Sequence, residues 1–324
     1  MADALAIDTW DGQGVRLGEV VNALGVLRHQ STDRNTARTA VMTLIAVAPE
    51  DEQAYGATRA LRALGGHHPA RIIILRPDPY EAATLDARAT LFAVNTDSHL
   101  INFEEVTLWV RGQAANHLDS LVEAFTLSDL PVALWYVNSV PEPTDPLLTV
   151  ASAVLLDSRD AEGQLRGLLE LARRRTVVDL SWTRLAPWRE LLAGLFDPPD
   201  GRAWLDGVRD VEVLGKTGPR HLLGGWLTSQ LDLRPNQVVL ADGRHVEIRV
   251  TCRHGSDVAL FEVQRGDQHR TVSAQATLPS GTTPRQSIAL ADDPLPTALA
   301  TALTHLKPDV TWEKALSAAT NLPP

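Results

Sequence analysis

The chain has one cysteine, Cys252, in 324 residues. That excludes an internal disulfide and any metal cluster built from cysteines. Long apolar runs are missing too. The longest, Leu130 to Val137, falls far short of the ~20 residues needed to cross a bilayer. Positive charge is in deficit: 30 Lys and Arg stand against 40 Asp and Glu, a net charge of −10. Non-specific nucleic-acid binding is therefore disfavoured, and no basic tail suggests otherwise. The opening residues, MADALAIDTWDGQG, lack the charged-then-apolar pattern of a secretory signal. These absences together predict a soluble, cytoplasmic protein with neither nucleic acid nor membrane as a partner. Phe and Tyr are also scarce, 5 and 3 against 8 Trp, an inverted ratio that makes the indoles worth following.

What is present is ordinary globular composition, 44% hydrophobic and 22% charged, in a chain long enough for two domains. The stretch Val177 to Phe196, VVDLSWTRLAPWRELLAGLF, organises the rest. Val177 to Leu180 reads as a buried strand. Thr183 to Pro187 reads as a turn, with Pro187 suited to the first helical position. Trp188, Leu191, Leu192 and Leu195 then recur at helical spacing, and Pro198-Pro199 stops the helix.

Upstream, apolar β-rich runs alternate with helical periodicity. Strands are expected at Thr39–Ala48, Arg71–Leu75, Leu85–Val94, Phe103–Arg111, Pro131–Trp135 and Ala153–Leu156. Helices are expected at Val15–Gln30, Glu50–Leu64 (ended by Gly65-Gly66), Ala114–Phe125 and Gln164–Arg174. The pattern changes after Pro199. A strand at Val208–Leu214 and a helix at Pro219–Leu231 are followed by closely spaced strands at 246–251, 258–264, 270–276 and 285–290. Helices at Leu295–Leu306 and Trp312–Ala319 close the chain. The expected fold class is α/β. A Rossmann-like, mainly parallel sheet with helices on both faces occupies residues 1–199, and an α+β domain with antiparallel strands occupies 200–324.

The motifs that would carry catalysis are incomplete. Gly12-Gln-Gly14-Val-Arg-Leu-Gly18 has one residue too many for a dinucleotide fingerprint and follows no expected strand, so it reads as a lead-in to a helix. Gly215-Lys216-Thr217 is half of a P-loop, and Asp210 stands where the earlier glycine is needed. The plain reading is a strand–helix turn; the functional one is an anion site at a helix start. His67-His68 lacks further ligands at metal spacing. There is no G-x-S-x-G elbow. Cys252 sits in a strand without an activating neighbour. Asp157-Ser158-Arg159-Asp160 follows a buried strand, and Ser158 or Asp160 is expected to cap the next helix.

Trp and Arg dominate protein interfaces. Trp135, Trp182 and Trp188 all fall at or just past strand ends. An outward-facing cluster of Trp135, Tyr136, Arg159, Asp179, Trp182, Arg184, Trp188 and Arg189 is therefore the candidate partner-binding surface, each tryptophan having ordinary core burial as its alternative. The competing function is a phosphosugar- or nucleotide-binding enzyme or sensor, with Arg111, Arg159, Arg184, Lys216 and Arg220 as the anion contacts.

Five short segments in order resemble the OpcA family, the glucose-6-phosphate dehydrogenase assembly proteins. They are Arg38-Thr39, His68-Pro69-Ala70-Arg71-Ile-Ile-Ile74, Leu130-Pro131-Val132 leading to Leu134-Trp135, Asp157 to Asp160, and Asp179-Leu-Ser-Trp182-x-Arg184-Leu-x-Pro187-Trp188-Arg189. The likeness runs from Thr36 to Pro199 and more loosely through Leu222–Leu231. It implies a protein without catalysis or cofactor that binds glucose-6-phosphate dehydrogenase and promotes its active oligomer. Some members of the family carry a thiol–disulfide switch; with Cys252 alone, an internal one cannot operate here.

Overall fold

Adjacent residues on a strand point to opposite faces of the sheet, and two neighbouring glutamates show how the first sheet is covered. In a computed structural model, Glu104 meets Arg28 of one helix (2.6 Å) and Glu105 meets Arg62 of another (2.6 Å). Those two helices therefore lie on opposite faces. The structure describes residues 5–32, 37–38, 40–64, 70–95, 100–127, 129–160, 163–266, 270–292 and 294–323. The expectations for Gly65-Gly66 and His67-His68 lie outside them.

The chain divides into two compact units. The first comprises residues 1–156, 174–178 and 299–307; the second comprises 157–173, 179–298 and 308–324.

The first unit opens with strand β1 (Leu5–Gly12), helix α1 (Leu17–Thr32), the short β2 (Ala37–Arg38) and β3 (Met42–Val47). Helix α2 (Asp51–Leu64), β4 (Ala70–Asp78), β5 (Leu85–Asn95) and β6 (Leu100–Arg111) follow. Then come α3 (Leu118–Glu123), β7 (Val132–Tyr136), β8 (Ala153–Leu156) and β9 (Val177–Asp179). The sheet order is β1-β5-β6-β4-β3-β7-β8-β9, with β2 beside β6. From β6 through β8 the neighbours are parallel; β5 and β1 are added antiparallel at one edge. Strands β3, β7 and β8 are buried along their whole length. That is why they read as unbroken apolar runs rather than alternating ones. The single helix expected at Ala114–Phe125 is a 3₁₀ turn at Gly112–Asn116 and then α3. His117, at φ −130° and ψ 45°, breaks it.

The second unit contains α4 (Leu165–Ala172), α5 (Leu180–Arg184), α6 (Ala186–Phe196), α7 (Pro199–Arg202), β10 (Val208–Gly215) and α8 (Thr217–Leu231). Strands β11 (Val238–Asp242), β12 (Glu247–His254), β13 (Asp257–Arg265), β14 (Thr271–Leu278), β15 (Gly281–Thr282) and β16 (Gln286–Ala289) complete its sheet. Helix α9 (Pro294–Thr304) is shared in sequence between the units, and α10 (Val310–Ala319) ends the second. The order β11-β10-β12-β13-β14-β15 is antiparallel except for the parallel pair β10–β11, with β16 also on β14. Val211, Val213, Ile248, Val250, Phe261 and Val263 form the covered face.

One expectation fails here for a physical reason. No turn spans Thr183 to Pro187: the Asp179 carboxylate accepts from Ser181 N–H (2.9 Å) and starts α5 well before Pro187, leaving only Leu185 between α5 and α6. Pro187 does sit in the first turn of α6. The C-terminal domain is expected to start after Pro199, and the second unit takes in residues on both sides of it. The segment before it belongs to the second unit: Phe196 stacks on Phe261 at 4.1 Å, and Trp188 Nε1 donates to the Val246 carbonyl. Such a ring pair contributes about 0.5–1.5 kcal/mol beyond its buried area.

Candidate interaction site

Trp135 and Tyr136 belong to the first unit, and the other six candidate residues belong to the second. Trp135 and Tyr136 lie within β7 and are 2% and 5% exposed. The Tyr136 hydroxyl donates to Asp145 (2.7 Å), and burial beside that carboxylate pushes the phenol above the usual tyrosine range.

In the second unit the end of β9 delivers Asp179 into the interior, 2% exposed. Its Oδ1 accepts from the N–H groups of Ser158 (3.1 Å) and Ser181 (2.9 Å). Its Oδ2 accepts from Ser158 Oγ (2.6 Å) and Trp312 Nε1 (3.2 Å). Burial raises the Asp179 carboxyl above the usual range; the Ser158 and Ser181 hydrogen bonds pull it down, and the nearby Asp157 charge adds to the rise. The Ser158 turn presses so closely on α8 that a Cβ at Gly218 would collide with the Ser158 carbonyl oxygen. Glycine is required there by close approach.

Trp182 is 4% exposed, and its Nε1 donates to Asp309 (2.8 Å). The Arg189 guanidinium lies 3.5 Å from the centre of the Trp182 ring and donates to the Trp182 carbonyl (3.3 Å). Burial lowers the Arg189 pKa to about 10, against the pull of Asp309 and Glu190. Arg184 is clamped on Asp157 (2.6 and 2.5 Å), while Arg159 keeps 42% of its side chain exposed, 3.9 Å from the same carboxylate. Trp188 is 6% exposed.

The expected outward-facing indoles are thus corrected: Trp135, Trp182 and Trp188 are core residues. Each is an apolar ring whose alternative position would be water, and two of the three find an acceptor for the N–H inside the second unit. Five of the candidate residues, Arg159, Asp179, Trp182, Arg184 and Arg189, do come together, but as an internal polar knot from which Arg159 reaches solvent; Trp188 bonds elsewhere, to Val246. Asp309 and Trp312 complete that knot and were not anticipated. Asp309 also caps α10, accepting from Thr311 and Trp312 N–H. Only that capping role carries a local sequence signal. Ser158 does not cap α4, whose N-cap is Gln164 with no side-chain bond. The side chain of Asp160 lies outside the described residues.

The anion reading loses three of its five cations to carboxylates. Arg111 pairs with Asp86 (2.6 Å), Arg184 with Asp157, and Arg220 with Asp242. The glycine-rich entry to α1 does follow a strand, β1, contrary to expectation. Yet the Gly14 N–H is already taken by Asp86 (2.8 Å), whose carboxyl is held below the usual range by that bond and by Arg111. A side-chain carboxylate thus occupies a position a phosphate would need. Cys252 is buried, and burial pushes its thiol up to about 12. It is no ready nucleophile.

Residues 62–173 match the family described as the N-terminal domain of the glucose-6-phosphate dehydrogenase subunit OpcA. Residues 175–316 match the family described as the C-terminal domain of the same protein. The chain belongs to the OpcA family. Three curated relatives carry the provisional name OxPP cycle protein OpcA. The protein of Synechocystis sp. is 28% identical over 186 residues, 53% of this chain and 39% of the relative. That of Nostoc punctiforme is 29% identical over 194 residues, 56% and 42%. That of Synechococcus elongatus is 28% identical over 223 residues, 62% and 49%. This OpcA-family chain therefore spans less than half the length of each relative it matches. The knot bridges both family domains: Asp157, Ser158 and Arg159 fall in the first, and Asp179, Trp182, Arg184, Arg189, Asp309 and Trp312 in the second.

Proposed function

We propose that the chain is a non-catalytic partner of glucose-6-phosphate dehydrogenase that promotes the enzyme's active oligomer in the oxidative pentose phosphate pathway. The observation that carries this reading is the pair of family matches, which follow one another from residue 62 to residue 316, each described as part of a dehydrogenase subunit. The state of the charged groups supports it. Asp179 is held by four neutral donors, Arg184 by Asp157 and Arg189 by Trp182, an arrangement that stiffens a scaffold.

An activator must prefer the active state of its target, since equal affinity for both states shifts nothing. A tenfold preference corresponds to about 1.4 kcal/mol. Arg159, standing out from the knot beside the Arg184–Asp157 pair, is the group we assign to contact with the dehydrogenase. The test is to mix this protein with the dehydrogenase of the same organism and follow complex mass and turnover. A larger assembly with raised turnover is expected, and Arg159→Glu should weaken it roughly tenfold. Unchanged mass and turnover on mixing would sink the reading; full activity of the Arg159→Glu protein would remove Arg159 from it.

A further inference from the structure

Two of the three tyrosines in the chain are exposed on the first unit, Tyr55 at 72% and Tyr80 at 96%. Neither contributes to the core. Tyr55 lies one turn into α2, and Tyr80 lies in the connection that follows β4. Arg76, near the end of β4, is bonded to Asp51 and reaches the Pro49 carbonyl (3.5 Å), so the start of α2 and the end of β4 share one corner. Tyr55 is four residues from Asp51, about 6 Å along the helix axis. Tyr80 is four residues from Arg76, at most about 14 Å of chain. Both residues therefore flank the corner that Arg76 and Asp51 close.

The tyrosine-bearing connection is held at both ends. Pro77 and Pro79 fix the backbone on either side of Asp78, whose carboxylate accepts from Tyr80 N–H (3.1 Å). Further along, Arg111 N–H donates to the Thr84 carbonyl (2.9 Å), and Ala83 packs against Gly112, which sits at φ +71° and has no room for a Cβ. A ring presented on a fixed loop loses little freedom when a partner covers it. The sign of that partner follows from what surrounds the rings. Glu50, Asp51, Glu52 and Glu81 are exposed and Asp78 is half-buried; against these five carboxylates stand Arg76, tied to Asp51, and Arg59, one turn beyond Tyr55 on α2, so acidic groups are in excess. A second copy of this chain would bring like charge to like charge.

We propose that Tyr55 and Tyr80 anchor a docking surface for a Lys- or Arg-bearing face of a protein partner. The tyrosine faces take the cationic groups by cation–π contact, and the carboxylate rim excludes acidic surfaces. Tyr55 and Tyr80 belong to the first unit and Arg159 to the second, and the test does not require that the partner be the dehydrogenase. Titrate the full chain with a deca-arginine peptide at physiological salt, beside the double variant Tyr55→Ala/Tyr80→Ala. That variant keeps every charge, so diffuse attraction to an acidic protein is unchanged by it.

A saturable site is expected, with affinity falling at least roughly tenfold in the double variant while its melting temperature stays at the wild-type value. Equal affinity of the two proteins, or no saturable binding by the wild type, would overturn the proposal. Tyrosine-dependent dimerisation of the chain in sedimentation would also overturn it, by giving the surface to a second copy. A parallel titration with the dehydrogenase keeps the readings apart. If the complex forms equally with both proteins, the function stands and this surface is not what the enzyme uses.

Discussion

In the first unit Glu104 is sunk at the start of β6 between two guanidiniums, Arg28 at 2.6 Å and Arg71 at 3.0 Å. In the second unit Asp179 is sunk deeper, and its four contacts are neutral donors. Burial is the largest influence on both and disfavours both charges. At Glu104 the two arginines outweigh it, and the carboxyl titrates below its usual range; at Asp179 the hydrogen bonds do not, and the carboxyl titrates above. The same residue class, hidden in both places, thus has opposite proton affinity. What decides is whether the fold supplies full charges or only dipoles. The first arrangement joins α1, β4 and β6, with Arg71 also donating to the Phe125 carbonyl (2.6 Å). The second joins the turn after β8, the start of α5 and α10, segments far apart in sequence.

The largest effect is expected at Glu104. Glu104→Ala removes the carboxylate that two part-buried guanidiniums share and should cost about 3 kcal/mol in urea unfolding. Replacing Arg28, Arg71 and Glu104 together by Met, Met and Leu should recover most of it; a triple variant as unstable as the single one would show that charge pairing was not the cause. Next comes Asp179→Asn, which keeps the shape but turns an amide N–H toward donors, at a cost of about 2 kcal/mol.

The pH dependence sharpens the contrast, because the two signs oppose. Asp179, with a raised folded pKa, contributes stability that is fully present below the unfolded value of about 3.9 and is lost as pH rises through the folded value. Glu104, with a lowered folded pKa, contributes stability that is present above about 4.3 and is lost as pH falls through its folded value. The gap between wild type and Asp179→Asn should therefore narrow with rising pH, and the gap between wild type and Glu104→Gln should widen. Parallel curves would remove the distinction. The smallest expected effect is Arg189→Met, about 1 kcal/mol, from loss of the cation over Trp182. It should be visible as a change in tryptophan emission, and unchanged emission would show that the stacked guanidinium leaves the indole's surroundings unaltered.

Legibility followed the range of the interactions. Strand β8 was expected at Ala153–Leu156 and is found there, and α2 differs from its expected span by one residue. In both, periodicity and burial are properties of a short window. The edge strand β1 went unread because only pairing with β5 makes LAIDTWDG a strand; its own residues are mostly exposed. Strand β11 is similar, marked by its parallel register with β10 rather than by composition. At the candidate site the residue types were legible and their direction was not. Trp182 and Trp188 stand beside arginines in sequence, as interface residues do, but Trp182 finds its acceptor on Asp309, 127 positions away.

The alternation of strand and helix, the likeness to a dehydrogenase assembly family and the shortage of cysteine are legible in the order of the residues alone. Each of these is carried by local pattern or by identity at single positions. Tertiary structure alone decided which of the charged and aromatic groups remain available to a partner. A carboxylate, guanidinium or indole has the same chemistry wherever it stands in the chain, but its solvation and its counter-groups come from segments that meet only when the chain folds. That is how Asp179 and Trp182 became interior while Arg159, Tyr55 and Tyr80 kept their contact with solvent.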